Sequence, residues 1–394
     1  MRCLIFLKSR AIVHLDNILP LILELNKLGF ISRPLFVIDN KFYEDYKKNI
    51  VICDCINSMN GSFVSINKYK NKFLNKLSNI FILRYFFLYR LISIESSYGF
   101  PKSSKILSFL TRFNQRFWKG KIILSSINNL PYDVLKPVDQ RKQKKSSVSE
   151  VRNYDCVLLG YTREQHEDLY NNYKYINCNK LIQVGYTRGY ISWHNFLEEN
   201  SNKYFPKEMR NPYILYTLGT FGKGGMGDFA YKNPPYSEIF KKSLNVLKNY
   251  NDNILTVFKP HPTTDIEELH EILDSVGYKN YIISYLHPIL LMKRAKFLQC
   301  FGSSTLMADA YYHGCTVIEF SYYHPDTLNL TGGKASYHGV IDFFINQNED
   351  QLKSVIDKIL FQRIKMERNK VRIKKMFPIL HPHEIKEKFA FLNE

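Results

Sequence analysis

The sequence predicts an α/β protein that is built from two halves. Short segments rich in β-branched and aromatic residues alternate with longer segments whose apolar residues recur at helical spacing. This alternation is typical of parallel sheets covered by helices. A chain of 394 residues is longer than an ordinary domain with a single hydrophobic core. We therefore expect two domains, each with its own sheet.

The first half is predicted to span residues 1–195. It opens with a strand and continues with a helix from about Asp16 to Leu28, which Gly29 ends. The strands predicted for this half lie at 3–7, 34–38, 50–53, 91–94, 122–125, 156–159 and 180–184. Residues 196–211 are polar and contain Pro206, and they are predicted to be a linker.

The second half is predicted to span residues 212–375. Its predicted strands lie at 211–218, 254–258, 295–300 and 316–320, and a helix is predicted at 306–313, before Gly314. Residues 376–394 are predicted to form a C-terminal helical segment.

Two motifs in the second half combine groups that hold phosphate. The first is FKPHP at 258–262, with Lys259, His261 and Pro262, and the second is FGSST at 301–305. Each ends a predicted strand, and open α/β sheets bind ligands at the carboxyl ends of their strands. Small hydroxyl residues at a helix start offer an anion both hydroxyl and backbone N–H donors. The pair predicts a nucleotide site, and the alternative is a helix cap at Ser303 and a turn residue at His261.

A glycine-rich segment follows the first strand of the second half. Five glycines occur within residues 219–228, and Gly219 and Thr220 come directly after the strand. Glycine lets a backbone approach a ligand closely, although flexibility alone explains many such loops. Lys223 is not followed by Ser or Thr, so the segment is not a P-loop.

The chain carries a formal net charge of +19. Basic residues concentrate at 68–90, where they are interleaved with aromatic residues, and at 141–145 and 353–375. Such a surface attracts nucleic acid, anionic lipid headgroups or phosphorylated acceptors. The alternative is that these basic residues form only the solvent-exposed edge of an ordinary buried helix. No helix-turn-helix, RRM or zinc-finger pattern accompanies the charge, which speaks against nucleic acid.

Cysteine usage and hydropathy indicate a cytoplasmic protein. The seven cysteines are an odd number without zinc spacing, and reduced thiols explain them most simply. No apolar segment reaches the roughly twenty residues of a transmembrane helix. We expect a cytoplasmic location, with contact to the inner face of a membrane through the basic and aromatic segments. His261 and His287 lack carboxylate or cysteine neighbours at ligand spacing, so no metal site is expected.

The motifs resemble those of the GT-B glycosyltransferases of bacterial surface polysaccharides. The histidine–proline pair and the SST run are similar to the motifs of bacterial sialyltransferases and of the related capsule Kdo transferases. Residues 184–188 and 306–320 are similar to CDP-glycerol glycerophosphotransferases. The resemblance covers mainly the C-terminal half. It implies a GT-B fold, with two Rossmann-like domains facing a central cleft and a C-terminal helix closing the structure.

The resemblance implies an inverting transfer of sialic acid, Kdo or a related nonulosonic acid from a CMP-activated donor. The acceptor would be a glycan or lipid-linked glycan of a capsule or lipooligosaccharide, bound by the first half. No cofactor or metal is implied, and the sequence lacks the Asp-x-Asp motif of metal-dependent transferases. The residues implied to hold the nucleotide sugar are Gly219, Thr220, Lys259, His261, Pro262, Gly302, Ser303, Ser304, Thr305 and, at the ribose, Glu319.

An inverting transfer also needs a base that deprotonates the acceptor hydroxyl. Sialyltransferases carry an acidic pair followed by Gly, and here IESSYG at 94–99 offers Glu95 without the second acid. Asp16 and His14 are the other candidates, each of which could equally be a cap or a surface residue. Arg188 is expected either to bind the acceptor or to tie the linker.

Other function classes stay open at this point. A CDP-polyol phosphotransferase or a UDP-sugar enzyme of GT-B type fits the same motifs. A basic nucleic-acid-binding protein fits the charge, and would show strongly salt-dependent affinity for DNA or RNA.

Overall fold

The computed structural model describes most of the chain as two compact units. The described residues are 2–6, 12–39, 43–66, 84–96, 105–127, 152–160, 176–178, 180–218, 236–261, 264–301, 305–335, 338–362 and 366–394. The first unit takes its described residues from Met1–Asn129, Lys145–Asn200 and Lys374–Glu394, and the second from Ser201–Ile373.

The first unit alternates strands and helices along the chain. Its strands are β1 (Arg2–Phe6), β2 (Ser32–Asp39), β3 (Ser62–Ile66), β4 (Leu91–Ser96), β5 (Lys121–Ser126), β6 (Arg152–Tyr154), β7 (Cys156–Leu159), β8 (Ile176–Cys178) and β9 (Leu181–Gln183). Its helices are α1 (Ile12–Lys27), α2 (Tyr43–Lys47), α3 (Ile50–Ser58), α4 (Lys105–Trp118) and α5 (Ile191–Tyr204), the last of which continues into the second unit. Residues 84–88 are also helical.

Among the described residues, seven parallel strands form the main sheet of the first unit. Their order is β3-β2-β1-β4-β5-β7-β9, and β6 pairs with β8 separately. The chain moves outward on one side of β1 and then returns to β4 on the other side. The strand order therefore reverses between β1 and β4, which is the switch point where doubly wound sheets bind ligands.

The second unit repeats this plan. Its strands are β10 (Tyr213–Thr217), β11 (Thr256–Lys259), β12 (Tyr281–Ile283), β13 (Ala295–Cys300), β14 (Thr316–Ser321) and β15 (Phe343–Asn346). Its helices are α6 (Tyr236–Lys248), α7 (Ile266–Ser275), α8 (Pro288–Met292), α9 (Thr305–Tyr312), α10 (Pro325–Thr331) and α11 (Glu349–Leu360). The described strands are parallel in the order β12-β11-β10-β13-β14-β15, with the reversal between β10 and β13.

A buried polar network fixes the two strands at this reversal. The Ser243 hydroxyl of α6 donates to the Tyr216 hydroxyl at 3.0 Å, and the Gln299 amide donates to Ser243 at 2.8 Å. Tyr216 lies on β10 and Gln299 on β13, so one helix residue holds both strands. These buried hydrogen bonds stabilise the arrangement of β10, β13 and α6.

The sequence prediction was wrong for residues 50–53. They begin helix α3, which the Asn49 side chain caps by accepting from the Ile52 N–H at 3.3 Å. The buried residues Val51, Ile52, Cys55 and Ile56 follow helical spacing, although their β-branched character favours a strand. Cys53 and Cys55 therefore do not share a strand face.

The predicted linker at 196–211 is also largely regular structure. Helix α5 runs through its first part and buries Trp193, Phe196 and Leu197, and a 3-10 turn follows at Lys207–Met209. The polar residues on the exposed side of α5 give this segment a polar composition. Composition alone therefore predicted a linker and did not reveal the apolar side of the helix.

The C-terminal segment comprises α12 (Lys370–Met376), α13 (Pro382–Lys388) and a 3-10 turn at Ala390–Leu392. From Lys374 onward it belongs to the first unit. The Tyr186 N–H donates to the Pro378 carbonyl at 2.7 Å. A side chain at position 185 would collide with the Pro378 carbonyl. Gly185 also has a φ of +68°, which glycine adopts readily. No helix in the described ranges is long and apolar enough to cross a membrane.

Candidate functional site

Polar side chains end the strands at the carboxyl edge of the second sheet. In the parallel register Thr217 of β10 is paired with Lys259 of β11 and with Cys300 of β13, and Cys300 is paired with Glu319 of β14. These four residues therefore form one row across the strands that flank the order reversal. This row is where an α/β sheet of this topology binds its ligand.

His261 lies two residues beyond this row and is exposed. Its backbone N–H donates to the Thr264 hydroxyl at 2.9 Å, and its carbonyl accepts from the Thr264 N–H at 2.9 Å. Partial burial by the surrounding protein, and then the Lys259 ammonium, lower the pKa of the imidazole. His261 is therefore neutral near pH 7 and keeps one ring N–H as a hydrogen-bond donor.

Lys259 supplies the positive charge of this edge. It is the last residue of β11, and its Nζ lies 6.0 Å from the centre of the Tyr285 ring. A cation at this distance is attracted by the face of the aromatic ring. The ammonium is thus placed next to the histidine that the sequence prediction paired with it.

Thr217 is a site candidate that the sequence reasoning missed. It is buried at the end of β10, and its hydroxyl has no hydrogen-bond partner among the described residues. A buried hydroxyl without a partner costs about 1–3 kcal/mol, which a ligand oxygen could recover. A polar residue that ends an otherwise apolar strand, two residues before Gly219, was the available signal.

Glu319 is placed differently from the prediction. Its side chain is completely buried within β14. The Ser321 hydroxyl donates to it at 2.9 Å. Burial raises the pKa of Glu319 to about 7, while the hydroxyls of Ser321 and Tyr323 act in the opposite direction. This burial also speaks against a direct contact with ribose hydroxyls, because the carboxylate does not reach the surface.

Several predicted donor-binding residues lie outside the described residues. They are Gly219, Thr220, Pro262, Gly302, Ser303 and Ser304. Thr305 is described through its backbone as the first residue of α9. Their roles stay predictions.

The first unit brings two predicted residues together. Arg188, in the 3-10 turn Thr187–Gly189, places Nη2 3.8 Å from a carboxylate oxygen of Asp16 on α1. Both side chains are buried, and only 1% of Arg188 is exposed. Asp16 is therefore neither a cap nor a surface residue, and the roles of Asp16 as a base and of Arg188 as an acceptor contact stay predictions.

Glu95 is the base candidate whose position fits a site. Its backbone lies one residue before the end of β4, in register with Phe6 of β1, at the switch point of the first sheet. The side chains of Glu95 and of His14 on α1 lie outside the described part, so their roles stay predictions. Among the described residues, no three metal-ligating side chains come together.

Comparison with known proteins supports the fold. No family model matches the chain, and no curated protein matches it significantly. Among solved structures, the chain is similar to a Listeria monocytogenes protein assigned as a UDP-N-acetylglucosamine 2-epimerase, with a TM-score of 0.53 at 11% identity over 100% of this chain and 97% of that chain. It is also similar to Arabidopsis thaliana UGT89C1 complexed with UDP, with a TM-score of 0.50 at 10% identity over 99% of each chain.

These likenesses agree with the two strand orders. Both sheets are parallel, doubly wound and reversed beside their first strand. The prediction of an α/β chain with two Rossmann-like domains is confirmed, and the chain has the GT-B fold.

Proposed function

We propose that the protein is a glycosyltransferase that takes its sugar from a nucleotide-activated donor. The observation that carries the proposal is the carboxyl edge of the second sheet. There Thr217 and Lys259 lie in register, and His261 follows two residues later. A hydroxyl, an ammonium and a neutral imidazole can together hold a phosphate. The similar Arabidopsis structure was solved with UDP, which supports a nucleotide at this fold.

The donor we propose is a CMP-activated sugar, namely sialic acid, Kdo or a related nonulosonic acid. The histidine–proline and SST motifs support this choice, because they resemble the motifs of transferases that use CMP-activated sugars. The proposed acceptor is a glycan or lipid-linked glycan of a capsule or lipooligosaccharide, and the proposed location is the cytoplasm. The proposed reaction is inverting and uses protein groups in place of a metal.

The chemistry follows from the charge that develops during transfer. The acceptor hydroxyl oxygen bonds to the anomeric carbon while the bond from that carbon to the phosphate oxygen breaks. The acceptor proton passes to the proposed base Glu95, and CMP leaves with the bonding electron pair. The His261 N–H and the Lys259 ammonium would stabilise the departing phosphate, which is how preorganised donors lower a barrier.

We expect CMP to raise the melting temperature of the protein more than CDP, UMP or UDP, and His261→Ala to remove most of this gain. Loss of a hydrogen bond to a charged phosphate corresponds to about a 10–100-fold weaker affinity. The measurement is thermal unfolding over a nucleotide concentration series. His270→Ala is the matched control, because His270 is an exposed histidine on α7 of the same unit.

Each other outcome of this series has a definite meaning. Preference for UDP would replace the CMP donor with a UDP-sugar, and preference for CDP would favour a polyol phosphotransferase. No response to any nucleotide would contradict the phosphate site itself.

Glu95→Gln separates the proposed base from the nucleotide site. Transfer from CMP-activated sialic acid or Kdo should fall by about 100-fold or more, because the amide cannot accept the acceptor proton. Stabilisation by CMP should be unchanged. Transfer at the wild-type rate would exclude Glu95 as the base.

A further inference from the structure

The outer side of α4 carries a row of three phenylalanines, of which the first and last are exposed and the middle one is half-buried. Phe109, Phe113 and Phe117 are spaced by four residues and so lie on one side of the helix. Phe109 is 65% exposed and Phe117 is 63% exposed. Leu110 and Asn114, on the other side, are buried. One side of helix α4 thus packs against the first unit, and the other side presents aromatic side chains to solvent.

These rings form one continuous surface with the helical residues 84–88. The Phe113 and Phe117 rings are 4.5 Å apart, and Phe87 lies 5.3 Å from Phe113 between ring centres. We name Phe87, Phe109, Phe113 and Phe117 the aromatic face. Covering one phenylalanine side chain is favourable by about 1.5–3 kcal/mol. Contiguous apolar patches of this kind mark a surface that binds a partner.

Among the described residues, the charged side chains that α4 and the helical residues 84–88 carry are all positive. Arg112 and Arg116 are exposed and lie beside the rings on α4, and the Arg116 guanidinium is 5.9 Å from the centre of the Phe117 ring. The exposed Lys119 follows the helix, and Arg84 begins the neighbouring one. Helix α4 contains no Asp or Glu. The partner is therefore apolar where it meets the rings and anionic around them.

We propose that the aromatic face docks on an anionic lipid bilayer. An amphipathic helix with aromatic residues on one side and arginines at its edge lies in the plane of the headgroups, with its rings at the acyl boundary. Arg112 and Arg116 then contact lipid phosphates. Nucleic acid fits less well, because the rings of Phe113 and Phe117 contact each other instead of leaving open faces on which bases could stack. This surface is independent of the proposed transfer reaction.

The two tryptophans of the chain make this docking measurable. Trp118 ends α4 and is 45% exposed, whereas Trp193 is fully buried. Docking on vesicles should shift the Trp118 emission to shorter wavelength and expose it to quenching by brominated lipid, over a constant Trp193 background. Flotation with phosphatidylcholine vesicles, with and without phosphatidylglycerol, measures the partition coefficient of the full chain.

We expect the wild-type chain to bind the vesicles that contain phosphatidylglycerol. The pair Phe109→Ser and Phe117→Ser should lower the partition coefficient by at least about 10-fold. The pair Arg112→Glu and Arg116→Glu should lose about as much and also the preference for anionic lipid. The four substituted side chains are exposed, and unchanged thermal unfolding confirms that the variants fold. The matched controls are Phe361→Ser, which removes a ring that is 71% exposed in the second unit, and the pair Lys374→Glu and Lys375→Glu on α12.

Four results would overturn the proposal. They are no binding to either vesicle, equal loss in the control variants, dimerisation that the phenylalanine pair abolishes without any vesicle binding, and salt-dependent RNA binding with the same variant dependence and no vesicle binding.

Discussion

Replacing Arg188 with methionine is expected to lower the free energy of unfolding by about 3–5 kcal/mol. The guanidinium is among the largest fully buried side chains, and it faces the buried carboxylate of Asp16. Methionine has a similar length but no charge, so it leaves the Asp16 carboxylate inside the unit without its counter-charge. Removing one member of a buried ion pair costs this amount, because the other charge is no longer compensated.

Denaturant unfolding of the full chain measures this effect. The double variant Asp16→Asn and Arg188→Met should be less destabilised than the sum of the single variants, since it removes both charges together. Arg116→Met is the control, because this exposed arginine of the same unit should change stability by less than about 0.5 kcal/mol. If Arg188→Met retained wild-type stability but lost transfer, the acceptor role predicted from the sequence would be right.

Glu319→Gln is expected to change the pH dependence of stability. An ordinary glutamate has a pKa near 4.5, and burial raises that of Glu319 to about 7. Between these values the unfolded chain releases a proton that the folded chain keeps. The wild-type stability contributed by this group is therefore lost as pH rises from about 4.5 to about 7, by up to about 3 kcal/mol.

The measured quantity is the stability of the variant minus that of the wild type, at a series of pH values from 4.5 to 8. We expect this difference to move in favour of the variant as pH rises, because glutamine stays neutral. Glu238→Gln on α6 is the control, since Glu238 is exposed in the same unit and should stay within about 0.5 kcal/mol of the wild type. A difference for Glu319→Gln that does not vary with pH would show that this carboxyl is not desolvated in solution.

The strand positions were largely predictable, because buried parallel strands are short apolar segments. The segments 156–159 and 295–300 coincide with β7 and β13. Residues 50–53 were not predictable in the same way, since a run of isoleucine, valine and cysteine fits a buried strand as well as a buried helix. There the Asn49 cap decides in favour of helix α3.

The site was predictable only where its residues are close in sequence. Lys259 and His261 lie in one motif, so their proximity was visible beforehand. The pairing of Asp16 with Arg188, the register of Thr217 with Lys259, and the burial of Glu319 arise from the packing of distant segments. The aromatic face was missed because the basic segment at 68–90 was considered without α4, which supplies most of the rings.

Hydrogen exchange in the presence and absence of nucleotide tests the nucleotide site most directly. With CMP at saturation, we expect the largest slowing of exchange at the end of β11, residues 256–261, and at the start of α9, residues 305–308. The His261→Ala variant should lose this protection at the same CMP concentration. Protection confined to the first unit or to the basic helix α12, or no protection by CMP, UMP, CDP or UDP, would contradict a phosphate site at the carboxyl edge of the second sheet.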